Sequence, residues 1–403
     1  MIILVLNCGS SSIKYQVLNM QSESDYTLLA KGLVERIGQE TGAVVHSKIA
    51  RGKEKHKLEI PIADHTAGIG QVLQLLTDKE WGVLNSLSEI EAVGHRVAQG
   101  GKYFSQSVVI DDDVIHKIES LCELAPLHNP AHLLGIHAVE KLLPQAKQVA
   151  VFDTAFHQTL PDYAYMYAIP YEVYKKYDIR KYGFHGTSHK YVAAKGCAFT
   201  GLDENKSKVI TCHLGNGASI TAIHGGKSID TSMGFTPLEG LVMGTRCGDI
   251  DASVVTFLQE KEGWGPEETN NFLNKKCGLQ GIYGPSSDCR DIDSAAADGN
   301  RRAQLAQNSF SYRVLKYIGS YAAAMNGVDL VVFTGGIGEN DTVIREYIGT
   351  RLEYLGVHFD KEKNRATRGE DALLSTPDSK VKVAVITTNE ELVIAIDTMH
   401  LCK

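Results

Sequence analysis

Residues 1–6 form a short apolar run rich in β-branched side chains. It breaks at Asn7-Cys8-Gly9-Ser10-Ser11-Ser12 and resumes over 13–18, where Lys14 sits in an alternating pattern. This reads as strand, polar turn, strand. Glycine permits close approach of backbone to a ligand, and small hydroxyls and exposed N–H groups suit phosphate oxygens. Lys14 adds a point charge for the same anion. An ordinary serine-rich hairpin is the plain alternative. The Walker pattern is absent and no helix follows the glycine, so a P-loop is excluded.

A second copy changes that balance. Residues 209–212 are again β-branched, followed by His213-Leu214-Gly215-Asn216-Gly217-Ala218-Ser219-Ile220 and a strand over 221–224. Setting Ser12-Ile13 against Ser219-Ile220 places Gly9 opposite Asn216 and Ser10 opposite Gly217. Two such units some 200 residues apart predict two related halves, each with a phosphate-facing hairpin.

Between the copies the pattern predicts strands at 28–34, 43–47 and 57–60, a helix at 67–76 and a strand at 90–94. Consecutive strands without helices imply an antiparallel or mixed sheet and not a plain Rossmann order. Residues 95–101 read as a loop at a strand's carboxyl end. Asp111-Asp112-Asp113 opens a helix at 114–122, where carboxylates suit the positive helix end. A rigid loop at 126–130 precedes a helix at 131–143, and a buried strand at 148–152 ends in Asp153.

Beyond a tyrosine-rich stretch at 163–182, Thr187 or Ser188 is a candidate cap for a helix reaching about residue 198. Residues 231–251 are dense in Gly, Met and Thr. Helices follow at 252–262 and 266–276, with Pro266 suited to a first turn, then another near Asp291 or Asp293, and a long one at 301–325. A strand at 330–333 ends in Thr334-Gly335-Gly336-Ile337-Gly338-Glu339-Asn340, and one at 381–386 ends before Glu390, after which a helix closes the chain. Asn7, Arg96, Asp153, His213, Gly335-Gly336 and Glu390 thus all stand just past apolar strands, the edge where α/β sheets bind ligands.

At 403 residues the chain is long enough for two or three domains, and 43% hydrophobic content supports sizeable cores. A net charge of -7 argues against nucleic acid as the main partner. Local arginines can still dominate the field of a cleft. Eight scattered cysteines, without CxxC or zinc spacing, read as thiols in a reducing compartment. The apolar start lacks a basic segment before it, and no apolar run reaches membrane-spanning length. The expectation is a soluble cytoplasmic protein without membrane partners.

Taken singly, Arg96 and Arg246 read more often as surface arginines, His185 reads equally as a core histidine or a site residue, and Asp153 and Glu390 read as helix caps or turn partners. The arginine loops are glycine-rich, as backbone near a substrate tends to be. The two carboxylates together suit Mg²⁺, which takes one or two carboxylates plus phosphate oxygens. Residues 335–340 make only a weak dinucleotide fingerprint, lacking the third-glycine spacing.

Jointly, residues 7–14, Gly94-His95-Arg96, 125–130, 151–157, 182–189, 213–219, 236–240, 335–340 and 388–391 resemble the acetate kinase family of the actin-like ATPase superfamily, over essentially the whole chain. The resemblance implies an α/β homodimer whose subunit has two actin-like (ribonuclease H-like) domains with mixed sheets, ATP and substrate lying in the cleft between them. The expected domains are 1–152 plus 391–403, and 153–390. The implied reaction is reversible Mg²⁺-dependent transfer between ATP and acetate, giving acetyl phosphate and ADP, with Mn²⁺ able to substitute.

Carried over, Asn7 and Glu390 resemble the metal residues, while Asp153, His185 and Arg246 resemble the catalytic set. Arg96 resembles the carboxylate anchor, with Ala98 and Leu127 beside it for the alkyl group. Lys14, the loop His213, Leu214, Gly215, Asn216 and Gly217, then Asp288, Cys289 and Arg290, and finally Gly336, Ile337, Gly338, Glu339 and Asn340 resemble the nucleotide contacts. The chain departs at Ala98-Gln99, where the family more often has Val-His, and at Cys289, where a larger apolar residue is usual. Ala98 opens propionate as an alternative acceptor, and a non-kinase actin-like ATPase would share both hairpins. Such an ATPase has no use for Arg96 and Arg246 together, and a sugar kinase needs a base for its hydroxyl. A carboxylate nucleophile, with a pKa of roughly 4, is already ionised and needs none. Asp153 is therefore read as organising Mg²⁺ or its waters.

Overall fold

The computed structural model describes every residue except Leu127, which the sequence places among the alkyl-pocket candidates. Packing divides the chain into two units, Met1–Ala155 with Asn389–Lys403, and Phe156–Thr388. Asp153 and Glu390 both belong to the first.

The first unit has one sheet, built from β1 (Ile2–Cys8), β2 (Ser12–Met20), β3 (Tyr26–Glu35), β4 (Gly42–Lys48), β5 (His56–Ile60), β6 (Ile90–Val97), β7 (Val108–Val109) and β8 (Lys147–Phe152). Its order is β5-β4-β3-β2-β1-β6-β8-β7. The meander β1 to β5 is antiparallel, and β1, β6 and β8 run parallel to one another. Alternation along β1 buries both faces: Leu4 and Leu6 pack with Ile69, Val72 and Val139, whereas Ile3 and Val5 pack with Leu392, Ala395 and Met399. The sheet thus lies between helices His65–Leu76 and Asn129–Leu142 on one face and Glu390–Cys402 on the other.

The second unit repeats this plan with β9 (Lys208–Leu214), β10 (Ala218–His224), β11 (Lys227–Thr231), β12 (Leu330–Thr334), β13 (Ala372–Leu373) and β14 (Lys382–Val385), in the order β11-β10-β9-β12-β14-β13. An antiparallel trio beside two parallel strands, β3-β2-β1-β6-β8, recurs as β11-β10-β9-β12-β14. Val331 and Phe333 pack with Phe310, Val314 and Ile318 of helix Arg301–Ala324. Leu330 and Val332 pack on the opposite side with Val192, Ala193 and Cys197 of helix Gly186–Thr200. This is the two-domain, mixed-sheet α/β architecture that the resemblance implies.

The strand register corrects the alignment of the hairpins. Asn7 pairs with Lys14 and Cys8 with Ile13, leaving a four-residue turn; His213 pairs with Ser219 and Leu214 with Ala218, leaving three. Counted from the turns, His213 and not Leu214 stands where Asn7 does. Other expectations shift as well. β6 runs through Val97, so His95 and Arg96 are strand residues and not loop. Residues 335–340 form a helix, Gly335–Asn340, directly off β12. Thr187 and Ser188 lie inside helix Gly186–Thr200, whose cap is His185 without a side-chain capping bond.

Candidate active site

In the first unit, β1, β6 and β8 are neighbours, and their carboxyl ends bring Asn7, Arg96 and Asp153 together. The Arg96 guanidinium grips Asp153 with one edge: Nε donates to Oδ1 at 3.0 Å and Nη2 to Oδ2 at 2.5 Å. Nη1 reaches Asn7 Oδ1 at 3.4 Å. Such bidentate, charge-assisted pairing fixes the plane of the guanidinium. Asp153 is 1% exposed and Arg96 23%, so the arginine is the member that meets solvent. The loop after β6 is pinned by Asn129, which accepts from Gln99 N at 3.1 Å and donates to Gln99 O at 3.0 Å. Ala98, between Arg96 and this clamp, is buried.

Glu390 opens helix Glu390–Cys402, capped by Asn389 and not by itself. Burial pushes its carboxyl up to about 7, and the negative charge of Asp153 adds to this while Arg96 opposes it. Lys14 forms an ion pair with Glu391.

In the second unit, His185 takes a left-handed backbone (φ 56°) at the head of helix Gly186–Thr200. Its Nδ1 lies 2.9 Å from Ser219 Oγ, and its ring stacks on His213 at 4.3 Å. Ser188 Oγ meets His213 Nδ1 at 2.8 Å, and buried His189 bridges Thr211 and Ser219, both at 2.7 Å. Burial holds the His189 ring well below its ordinary pKa, so it is a neutral spacer. Arg246 Nη1 donates to Pro237 O at 3.1 Å. A side chain at Gly217 would stand 3.5 Å from Arg246 Nη1 and 3.7 Å from the His185 ring, so the hairpin turn faces both groups. Gly244 N donates to Asn216 O at 2.9 Å, and a Cβ on Gly244 would lie 1.8 Å from Asn216 Oδ1, so a side chain there would have to turn the Asn216 amide away.

Beside the turn lies a cavity of about 760 Å³. Of the nucleotide candidates, Gly215, Asn216, Asp288, Cys289, Arg290, Gly336, Ile337 and Asn340 line it. Lys14, His213, Leu214, Gly217, Gly338 and Glu339 are not among its lining residues. Leu214 is fully buried, and Glu339 accepts from the Gly335 and Thr388 amides at 3.1 and 3.0 Å, securing the strand ends. Arg290 folds back on Asp288. The wall also includes Ser287, Asp293, Asp341, Thr342, Val343 and Arg368, which sequence reasoning missed. Asp341 carries a local signal, since it caps helix Thr342–Gly349. Asp293 is read from sequence only as marking a helix start, whereas that helix begins at Cys289 with Asp288 as its cap; Arg368 carries no signal. Burial and the neighbouring Asp341 push Asp293 up to about 7.

Residues 2–396 match the acetokinase family. An acetate kinase from Caldanaerobacter subterraneus subsp. tengcongensis is 58% identical over 402 residues, 100% of this chain and 99% of the relative. The crystal structure of Porphyromonas gingivalis acetate kinase is 50% identical with a TM-score of 0.95, covering 100% of both chains. That of a propionate kinase from Francisella tularensis subsp. tularensis SCHU S4 is 45% identical with a TM-score of 0.91, covering 99% of each. Fold and relatives agree on a kinase, a phosphotransferase with a carboxyl group as acceptor. The chain belongs to the acetokinase family.

Proposed function

We propose that the chain transfers a phosphoryl group reversibly between ATP and acetate, giving acetyl phosphate and ADP by direct in-line displacement with Mg²⁺. The observation that carries this reading is the Arg96 guanidinium. Asp153 fixes its Nε–Nη2 edge, and among the described residues Nη1 has only a long contact to Asn7, so the terminal edge is available to a small carboxylate. Acetate needs no general base, because its pKa of roughly 4 leaves it ionised. Asp153 accordingly orients Arg96 and takes no proton.

Phosphoryl transfer depends on positioning and on neutralising charge spread over the moving group. Arg246 and His185, facing one glycine turn, supply cationic and hydrogen-bonding groups for that charge. The cavity lined by Ile337, Asp288 and Arg290 has the size of a small-ligand site and suits the nucleoside. For Mg²⁺, the donor set fits: Asn7 and Glu390 offer hard oxygens, and among the described residues no three His, Cys, Asp or Glu side chains form a cage. A metal arriving on nucleotide phosphates needs no more than this. Bound there, Mg²⁺ would neutralise phosphate charge. A homodimer, as the family resemblance implies, is part of the proposal and is read by sedimentation.

Propionate is the second reading, supported by the small Ala98 after β6 and by the 45%-identical propionate kinase. The test is an ATP and Mg²⁺ assay over acetate, propionate, butyrate and glycerol, trapping acyl phosphate with hydroxylamine. Acetyl hydroxamate as the main product supports the proposal. Preferred trapping of propionate shifts the assignment to the second reading, and no hydroxamate from any acid overturns both.

A further inference from the structure

The segment carrying Arg246 is braced by residues 273–280. Cys247 N donates to Leu273 O at 3.2 Å and Cys277 N to Thr245 O at 3.0 Å. Thr245 Oγ1 donates to Asn274 O at 2.9 Å, and Leu279 N to Met243 O at 2.8 Å. Gly278 (φ +63°) lies flush against this backbone: a Cβ there would stand 2.1 Å from Met243 O and 2.7 Å from Arg246 O. The brace therefore has little slack. It also sets two thiols, Cys247 and Cys277, on adjoining backbone and close enough for each to shift the other's titration, both half-buried and neither in a disulfide, with Cys247 Sγ donating to Gly248 O at 3.2 Å.

We propose that Cys247 and Cys277 are a modification site for two-electron thiol oxidants such as organic disulfides, and that closing them into an intramolecular disulfide displaces Arg246 and lowers turnover. The effect on turnover rests on the role proposed above for Arg246; the bond itself does not.

The chemistry follows from the contact. Interaction with Cys277 lowers the Cys247 thiol below its ordinary pKa, with burial opposing and Arg313 assisting, while the same interaction raises Cys277. Cys247 is thus the better thiolate and the nucleophile. It attacks one sulfur of an organic disulfide, forming a mixed disulfide and expelling a thiolate that takes up a proton. Cys277 then loses its proton and attacks the Cys247 sulfur, expelling the second thiol. Two S–H bonds are exchanged for one S–S bond, and the oxidant is reduced to two thiols. The sulfurs must close to about 2 Å. Cys247 directly follows Arg246, and Gly278 abuts the Arg246 backbone, so the movement passes to the guanidinium.

The full-length enzyme is treated with oxidised glutathione, remaining thiols are alkylated, and the cross-link is mapped by peptide mass while kcat is followed. The expected result is a 247–277 cross-linked peptide, with kcat falling roughly tenfold to a hundredfold and recovering in dithiothreitol. Cys277→Ser should show the untreated kcat and keep it under oxidant. Absence of the cross-link overturns the site. A cross-link with unchanged kcat, or equal loss in Cys277→Ser, overturns its link to turnover. If Arg246→Ala proves fully active, the reading of Arg246 fails while the cross-link remains to be judged by mass alone.

Discussion

Arg96 and Asp153 form one unit of chemistry, a guanidinium on β6 locked by a carboxylate after β8. Asp153→Asn removes the charge and one good acceptor, leaving Arg96 half-buried. It should cost about 2–3 kcal/mol in denaturant unfolding, with Glu390 nearby limiting the loss, and should also abolish most turnover. Wild-type stability in the variant would show that the pair is incidental. Arg96→Ala should raise the KM for acetate far more than that for ATP, because only the carboxylate is expected to meet it. Arg246→Ala should instead cut kcat by about 10²–10³, as loss of a transition-state donor does. Near-normal turnover in Arg246→Ala would remove that role.

Among the elements, the nucleotide cavity shows what a linear reading can and cannot reach. Its glycine turn and residues 288–290 are legible because they are contiguous and bounded by strands or caps. Asp293 and Arg368 meet in the wall only through folding, from segments 75 residues apart; Asp293 reads locally as a helix start and Arg368 has no local pattern. The Gly335–Asn340 helix escapes detection because glycine disfavours helix interiors, and β11 because Lys227, Ser228 and Asp230 dilute its apolar signal. The left-handed His185 is unreadable for the same reason: most non-glycine residues avoid that region. Asp293 gives a pH test. Its folded carboxyl titrates at about 7, against about 4 when unfolded, so between these values the folded state holds the extra proton and stability falls as pH rises. Asp293→Asn should therefore gain Tm over the wild type from about pH 4 upward, levelling off beyond about pH 7. A constant difference across that range would show that the carboxyl is not raised.

For the whole molecule, the repeated hairpin was enough to predict two related halves, and the common strand order carries that repetition well beyond the turns. The exact correspondence was not legible, because a one-residue difference in turn length is invisible without the register. The Mg²⁺ assignment belongs to this scale, since it joins the ends of the first strand and the last helix. Glu390→Gln should raise the Mg²⁺ needed for half-maximal rate, with acetate KM much less affected. Unchanged Mg²⁺ dependence would move the metal elsewhere.

In the proposed reaction the phosphoryl group passes straight from ATP to the carboxylate, with no covalent stop on the protein. One in-line displacement inverts configuration at phosphorus and two restore it. The measurement is the stereochemical course of transfer from ATP made chiral at its γ-phosphorus with oxygen isotopes, using acetate as acceptor. Inversion is predicted. Retention would rule out direct transfer and point to a phosphorylated side chain, with the stacked rings of His185 and His213 the first to be searched.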